Sequence, residues 1–240
     1  MFQITQLQSI IILTTTLLFT AQATAQTFTR QQISDDLNYL KSRMEIFHPN
    51  IRQYNPDFDS KADSVLKLAR DGMSRLEGFQ LVSRLAALGN EAHYHLGHWK
   101  DSVHIGFYAN VYRYLPLSTY VLDGRIYVRS NSSNDSTLKA GDEILSINGR
   151  SATAIIDRFR LHLPIDGHIP SSFYNRLSQS FSWLYYLYVD QSDTHEIVYT
   201  PYRETQRQSI RLEALTNRQQ MENYKLRGGK LPSGPPAKPQ

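Results

Sequence analysis

Glu91, His93 and His95 are the residues whose types and spacing could do chemistry, with His98 and His104 close behind. In an extended strand alternate side chains share a face, so His93 and His95 would stand together with Glu91 on the same side. A carboxylate and two imidazoles make a plausible zinc set. The competing reading is structural, with these polar groups at a helix-to-strand junction hydrogen-bonded to backbone. Nothing else marks a metal-binding domain, and the expectation is of no cofactor and no resident metal.

The chain has no cysteine, which removes disulfides and thiol chemistry. The net charge of +4 is carried by residues 216–240, where Arg218, Lys225, Arg227, Lys230 and Lys238 oppose Glu222. The region before them is near neutral, so no basic face for nucleic acid is implied. Ile10 to Phe19 is an apolar run broken only by three threonines, and Ala23-Thr24-Ala25 offers small residues for cleavage before Gln26. Residues 1–25 are expected to be an export signal, although no Lys or Arg precedes the run. Such a run is too short to be retained as a span, which points to a periplasmic or secreted protein with no stable membrane span.

The elements that must position any site follow from periodicity. Ile33, Leu37, Leu40, Met44 and Phe47 fall on one helical face, with Ser34 as cap and His48-Pro49 as stop. Phe58 to Met73 and Gly78 to Leu88 read as two more helices. Residues 26–100 thus form a helical layer. The pattern then turns β-like over Ser102 to Ala109, Leu115 to Leu122 and Arg125 to Arg129, with Asp123-Gly124 as a hairpin turn. Leu117, Tyr120 and Leu122 are expected to cover one side of a sheet against Ile126 and Val128.

Next comes Leu138 to Gly149, LKAGDEILSING. Gly141-Asp142 is a turn pair, Glu143 to Ile147 a strand-length apolar run, and Asn148-Gly149 a tight turn. Ile155, Ile156, Phe159 and Leu163 then recur at helical spacing, with Ser151 or Thr153 as cap. Residues 101–165 therefore make a small β module with a flanking helix. Residues 166–215 add a helix capped by Ser171 or Ser172, its stripe being Phe173, Leu177, Phe181, Leu184 and Leu187. A hairpin of Glu196 to Tyr199 and Gln208 to Leu212 follows. Residues 216–240 are polar and proline-rich and are expected to be disordered. The fold class is α+β.

The run Leu-x-x-Gly-Asp-x-Ile-Leu-x-Ile-Asn-Gly followed by a helix resembles a PDZ module. Placed after a helical segment in an exported chain, it is similar to the tail-specific, C-terminal-processing serine peptidase family, over roughly Ser34 to Leu212. His48-Pro49-Asn50 with Tyr54 resembles that family's leading-helix turn. The hairpin preceding the Gly-Asp strand resembles a circularly permuted PDZ. Glu91-Ala92-His93-Tyr94 loosely resembles the family's Asp-Gly-His-Thr turn, with Glu for Asp, Ala for Gly and Tyr for Thr. By that position His93 is the candidate base.

The family's serine sits at a glycine-rich strand-to-helix turn with a lysine base further on. Serine needs a base to take its proton and backbone donors for the oxyanion. Ser146 lies inside a strand, and Ser180, Ser182 and Ser192 have no following glycine or nearby lysine. Ser233-Gly234 lies in the tail. None qualifies, so the catalytic core is expected beyond the residues present.

What the resemblance implies is capture of an extended polypeptide or protein C-terminus as an added strand. The lip would run along Tyr114 to Tyr120 and the helix Ala152 to Leu161. Leu117, Tyr120, Gly141, Asp142, Ile144 and Ile155 would line the site. A structural spacer without an open groove is the alternative for the module. For the whole chain the alternatives are a fragment of an active serine endopeptidase and a zinc enzyme using His93 and His95.

Overall fold

The computed structural model describes residues 27–91, 96, 111–167 and 169–227. The expected export signal, the strand Ser102 to Ala109, and His93, His95, His98 and His104 lie outside the described residues, as does the end of the tail. The architecture is α+β.

The helical layer comprises α1 (Arg30–Phe47), α2 (Ile51–Tyr54), α3 (Phe58–Leu66) and α4 (Arg75–Ala87). The strands β1 (Thr27–Phe28) and β2 (Met73–Ser74) pair antiparallel beneath it. The first helix starts four residues before Ser34. Thr29 caps it in a reciprocal box with Gln32, which satisfies two orphan amides at once and outcompetes a single serine. α3, expected to run from Phe58 to Met73, ends at Leu66. Arg70-Asp71-Gly72 reverses the chain, with Gly72 at φ +75° and its amide on the Phe28 carbonyl, so that Met73 can pair with Phe28. α4 begins at Arg75 because Ser74 and Glu77 close another capping box. Ile33, Leu37, Met44, Phe58, Ala62, Val65, Leu81 and Leu85 form this layer's core. Gly78 lets α1 close in, since a β-carbon there would sit 3.0 Å from Ile33 Cδ1.

The main sheet runs in the order β3 (Leu117–Leu122), β4 (Arg125–Asn131), β5 (Glu143–Ile147), β7 (Thr194–Thr200), β8 (Gln208–Glu213), with β6 (Arg150–Ser151) paired to the end of β5. β5 is an interior strand, held by β4 on one margin and β7 on the other. A bulge between Ser118 and Thr119 resets the β3 register. β3 itself alternates without a break, so its core face is Leu117, Thr119 and Val121, while Tyr120 and Leu122 stay half-buried on the other face.

α5 (Ala152–Arg160), capped by Ser151, and α6 (Ser171–Tyr188) cover the sheet. α6 takes Pro170 at its cap position with no side-chain cap bond, in place of Ser171 or Ser172. Its seven buried side chains, Phe173 to Tyr188, join Leu117, Val121, Ile126, Ile144, Ile147, Ile155 and Phe159 in one core.

Part of the expected disordered tail is ordered. α7 (Asn217–Leu226) is set by a Thr216–Gln219 capping box. It is moored by polar bonds to the 131–136 loop: Asn223 donates to the Ser132 carbonyl, and Arg227 to those of Asn131 and Ser133. It buries no side chain, which is why hydropathy gave no sign of it.

Candidate functional site

The Gly-Asp turn is a latch. Asp142 is buried at 4% exposure. Its Oδ2 accepts from the Lys139 amide at 2.8 Å and its Oδ1 from the Tyr202 amide at 2.9 Å. One carboxylate thus ties its own turn to the loop between β7 and β8. Gly141 sits at φ +96°, and a β-carbon there would lie 3.2 Å from the Tyr202 ring. Both its conformation and the close ring demand glycine. Replacing Asp142 by alanine removes both bonds from partly buried amides and should cost about 1–3 kcal/mol in urea unfolding. A loss below about 0.5 kcal/mol would show the latch to be idle.

The six side chains expected to line a peptide site are placed as follows. Leu117, Ile144 and Ile155 are fully buried in the sheet core, Gly141 and Asp142 belong to the latch, and Tyr120 is half-buried beneath the Arg129 guanidinium at 5.1 Å. β3 is an edge strand, but its outer side is engaged. The Val121 amide donates to Ser178 Oγ at 3.0 Å, and Ser182 Oγ donates to the Leu115 carbonyl. Both serines belong to α6, which also meets α5 through an edge-on Phe159–Phe181 contact at 5.6 Å. The expected lip between β3 and α5 is thus filled by α6. Sequence reading found this helix but had no signal for where it would dock.

Burial decides whether the filling is exchangeable. Seven large side chains at about 1.5–3 kcal/mol each amount to more than about 10 kcal/mol. A micromolar peptide brings only about 8 kcal/mol in total. No free peptide of that affinity displaces α6.

A serine–histidine contact that sequence reasoning missed lies where the two cores meet. Ser83 on α4 and His162 after α5 are both buried, with Ser83 Oγ 3.1 Å from His162 Nδ1. The imidazole stacks on Tyr188 at 4.4 Å and 8°. Its polarity is wrong for a nucleophile. His162 Nδ1 also faces the Gln80 carbonyl at 3.1 Å, which can only accept, so Nδ1 carries the proton. Ser83 in turn donates to that same carbonyl at 2.9 Å. An activating histidine must accept from the serine, and this one donates toward it. Burial, reinforced by the Arg158 charge, pulls the His162 pKa down to about 3. It is a neutral structural clasp.

The two layers also leave an open cleft of about 560 Å³. Tyr54, Val65, Ala87, Leu88 and Leu161 supply its apolar walls, and Lys61, Arg84 and Arg160 its cations, with Asp57 as the acid. Asn55 and Asn90 pin its rim. Asn55 Nδ2 donates to the Leu88 carbonyl, and Asn90 Nδ2 to those of Tyr54 and Gly167. His48, beside Tyr54, reaches the Gly89 carbonyl at 3.1 Å.

Among the described residues no group of three or more His, Asp or Glu side chains could hold a metal. The zinc and general-base readings of His93 and His95 fall outside those residues.

No family model and no curated protein matches the chain. Three solved structures of CPAF, a chlamydial tail-specific-protease-like serine protease, are similar to it. Mature CPAF superposes with a TM-score of 0.50 at 15% identity, over 77% of this chain. A serine-to-alanine mutant of CPAF gives 0.51 at 14% over 78%, and mature CPAF complexed with lactacystin 0.50 at 14% over 76%. The chain spans about a third of CPAF, 34% of the mature protein. At this identity the likeness is one of fold alone.

Proposed function

We propose that this chain is the non-catalytic, polypeptide-engaging portion of a tail-specific-protease-like protein, built as a helical layer and a PDZ-like module, and that it works in an exported compartment. It engages polypeptide and not nucleic acid, and it does not cleave peptide bonds by itself. The observation that carries this reading is the fold shared with about a third of a serine protease of that kind. Because α6 holds the β3 edge, a polypeptide does not add to this module as an extra strand. That favours the structural form of the module.

Purified chain incubated with casein and with short tailed peptides should give no turnover sensitive to serine-directed inhibitors. Robust inhibitor-sensitive cleavage would overturn the reading. The same one-third span favours a second reading, in which these residues are one portion of a longer serine endopeptidase. A downstream frame encoding a glycine-rich serine turn followed by a lysine would favour it.

A further inference from the structure

We propose that the cleft between the helical layer and α5 binds a carboxylate carried on an apolar body, as the C-terminal residue of a polypeptide presents it, with Arg84 as the principal anchor. The inference rests on the reading that the chain engages polypeptide, and it gives that engagement a place away from the filled β3 lip.

Charge comes first. Lys61, Arg84 and Arg160 line the cleft against Asp57 alone. Lys61 is partly spent on Asp57 at 3.3 Å, and Arg160 on Asp157 at 2.6 Å. Arg84 is half-buried, and among the described residues it makes no hydrogen bond or ion pair. Its field is felt by its neighbours: the Arg158 guanidinium is pushed down by its burial and then by Arg84, and His162 is depressed in part by the same charge. A half-buried guanidinium without an acceptor, beside a second cation, gains most from an incoming anion.

The backbone around it does not compete for that role. Arg84 stands in the last turn of α4, where carbonyls would ordinarily repel an anion. Here the carbonyls of Leu85, Ala86 and Ala87 accept from the amides of Leu88, Gly89 and Asn90. Those of Leu88 and Gly89 are taken by Asn55 and His48, and that of Asn90 by the Gly167 amide. The negative end of the helix is tied up in bonds pointing to rim residues.

Shape supplies the rest. A volume of about 560 Å³ exceeds the needs of a bare inorganic anion and suits one or two residues of peptide. Tyr54 and Leu161 are 45% and 39% exposed at its mouth. With Val65, Ala87 and Leu88 they offer an apolar wall beside the cations. A ligand with a hydrophobic side chain and an adjacent carboxylate satisfies both halves.

The test is calorimetric titration of the full chain with three short peptides: one ending in leucine with a free carboxylate, the same peptide amidated, and an amidated peptide bearing an internal glutamate. Saturable binding of the first is expected, weakened about tenfold or more by amidation and by Arg84→Gln. Lys61→Gln should weaken it by a smaller factor, which keeps the test sharp if Arg84→Gln folds poorly. Equal binding of the glutamate peptide would support the same carboxylate chemistry with a side chain as its source. Binding of none of the three peptides or of N-acetylleucine, or binding untouched by both substitutions, would overturn the proposal. N-acetylleucine binding that depends on Arg84, with no peptide binding, would uphold the cleft and sink the polypeptide reading instead.

Discussion

Leu177→Ala should destabilise the whole protein by about 2–5 kcal/mol and leave the β3 edge closed. Leu177 has no exposed surface and sits in the same core as Ile144, Ile155 and Phe159. If α6 were a lid over a peptide groove, removing its central side chain would loosen the helix alone. Urea unfolding would then barely change, and extended peptides would begin to bind. If α6 is core, sheet and helix lose stability together, because deleting a fully buried leucine forfeits its transfer free energy and leaves a cavity. Following tryptophan fluorescence from Trp183 on α6, in a Trp99→Phe background, alongside far-UV circular dichroism distinguishes the two. Coincident transitions shifted to lower urea are expected. An early fluorescence transition with gain of peptide binding would show the helix to be a lid. α6 departs from helical geometry at Ser180, between Ser178, which bonds β3 at Val121, and Ser182, which bonds Leu115 just before it. The departure lies where the helix fits itself to the strand.

Acid should weaken the fold steeply below about pH 6.5, chiefly through His162. Its imidazole is neutral in the folded state, with a pKa near 3 against an unfolded value of 6.5, and burial is the main cause. The folded protein therefore binds fewer protons than the unfolded chain between those two values. The stabilisation is fully present above pH 6.5 and is lost as pH falls toward 3. Each pH unit in that window removes about 1.4 kcal/mol, so about 2 kcal/mol is gone at pH 5. His195 acts in the same direction. It is 2% exposed and burial lowers its pKa, with Asp190 and Asp193 opposing. Urea midpoints measured from pH 7.5 to 4 should fall on this schedule. His162→Asn keeps a donor for the Gln80 carbonyl without titrating, and it should flatten the acid slope whatever it costs in absolute stability. An unchanged slope in that variant would remove His162 as the source.

Local patterning in the sequence determined the elements and their order. The stripes of α1 and α5, the Asp123-Gly124 and Asn148-Gly149 turns, and strands β4, β5, β7 and β8 follow from periodicity and turn chemistry, which act over a few residues. Helix starts were also legible in principle. Thr29–Gln32, Ser74–Glu77 and Thr216–Gln219 are capping-box pairs in the sequence; taking Ser34 as the cap misplaced the start of α1, and polar composition hid α7. The neutrality of the region before Thr216 is likewise a property of composition.

Tertiary structure alone decided what each surface faces. An apolar stripe reads the same whether it closes a groove or builds a core, so Leu117, Ile144 and Ile155 gave no sign that α6 would lie across them. The serine–histidine clasp joins positions 79 residues apart, and the cleft gathers Lys61, Arg84 and Arg160 from three helices. Such groups meet only after the chain has closed its long loops. The information that brings them together is spread over every buried contact and is held in no short run of residues.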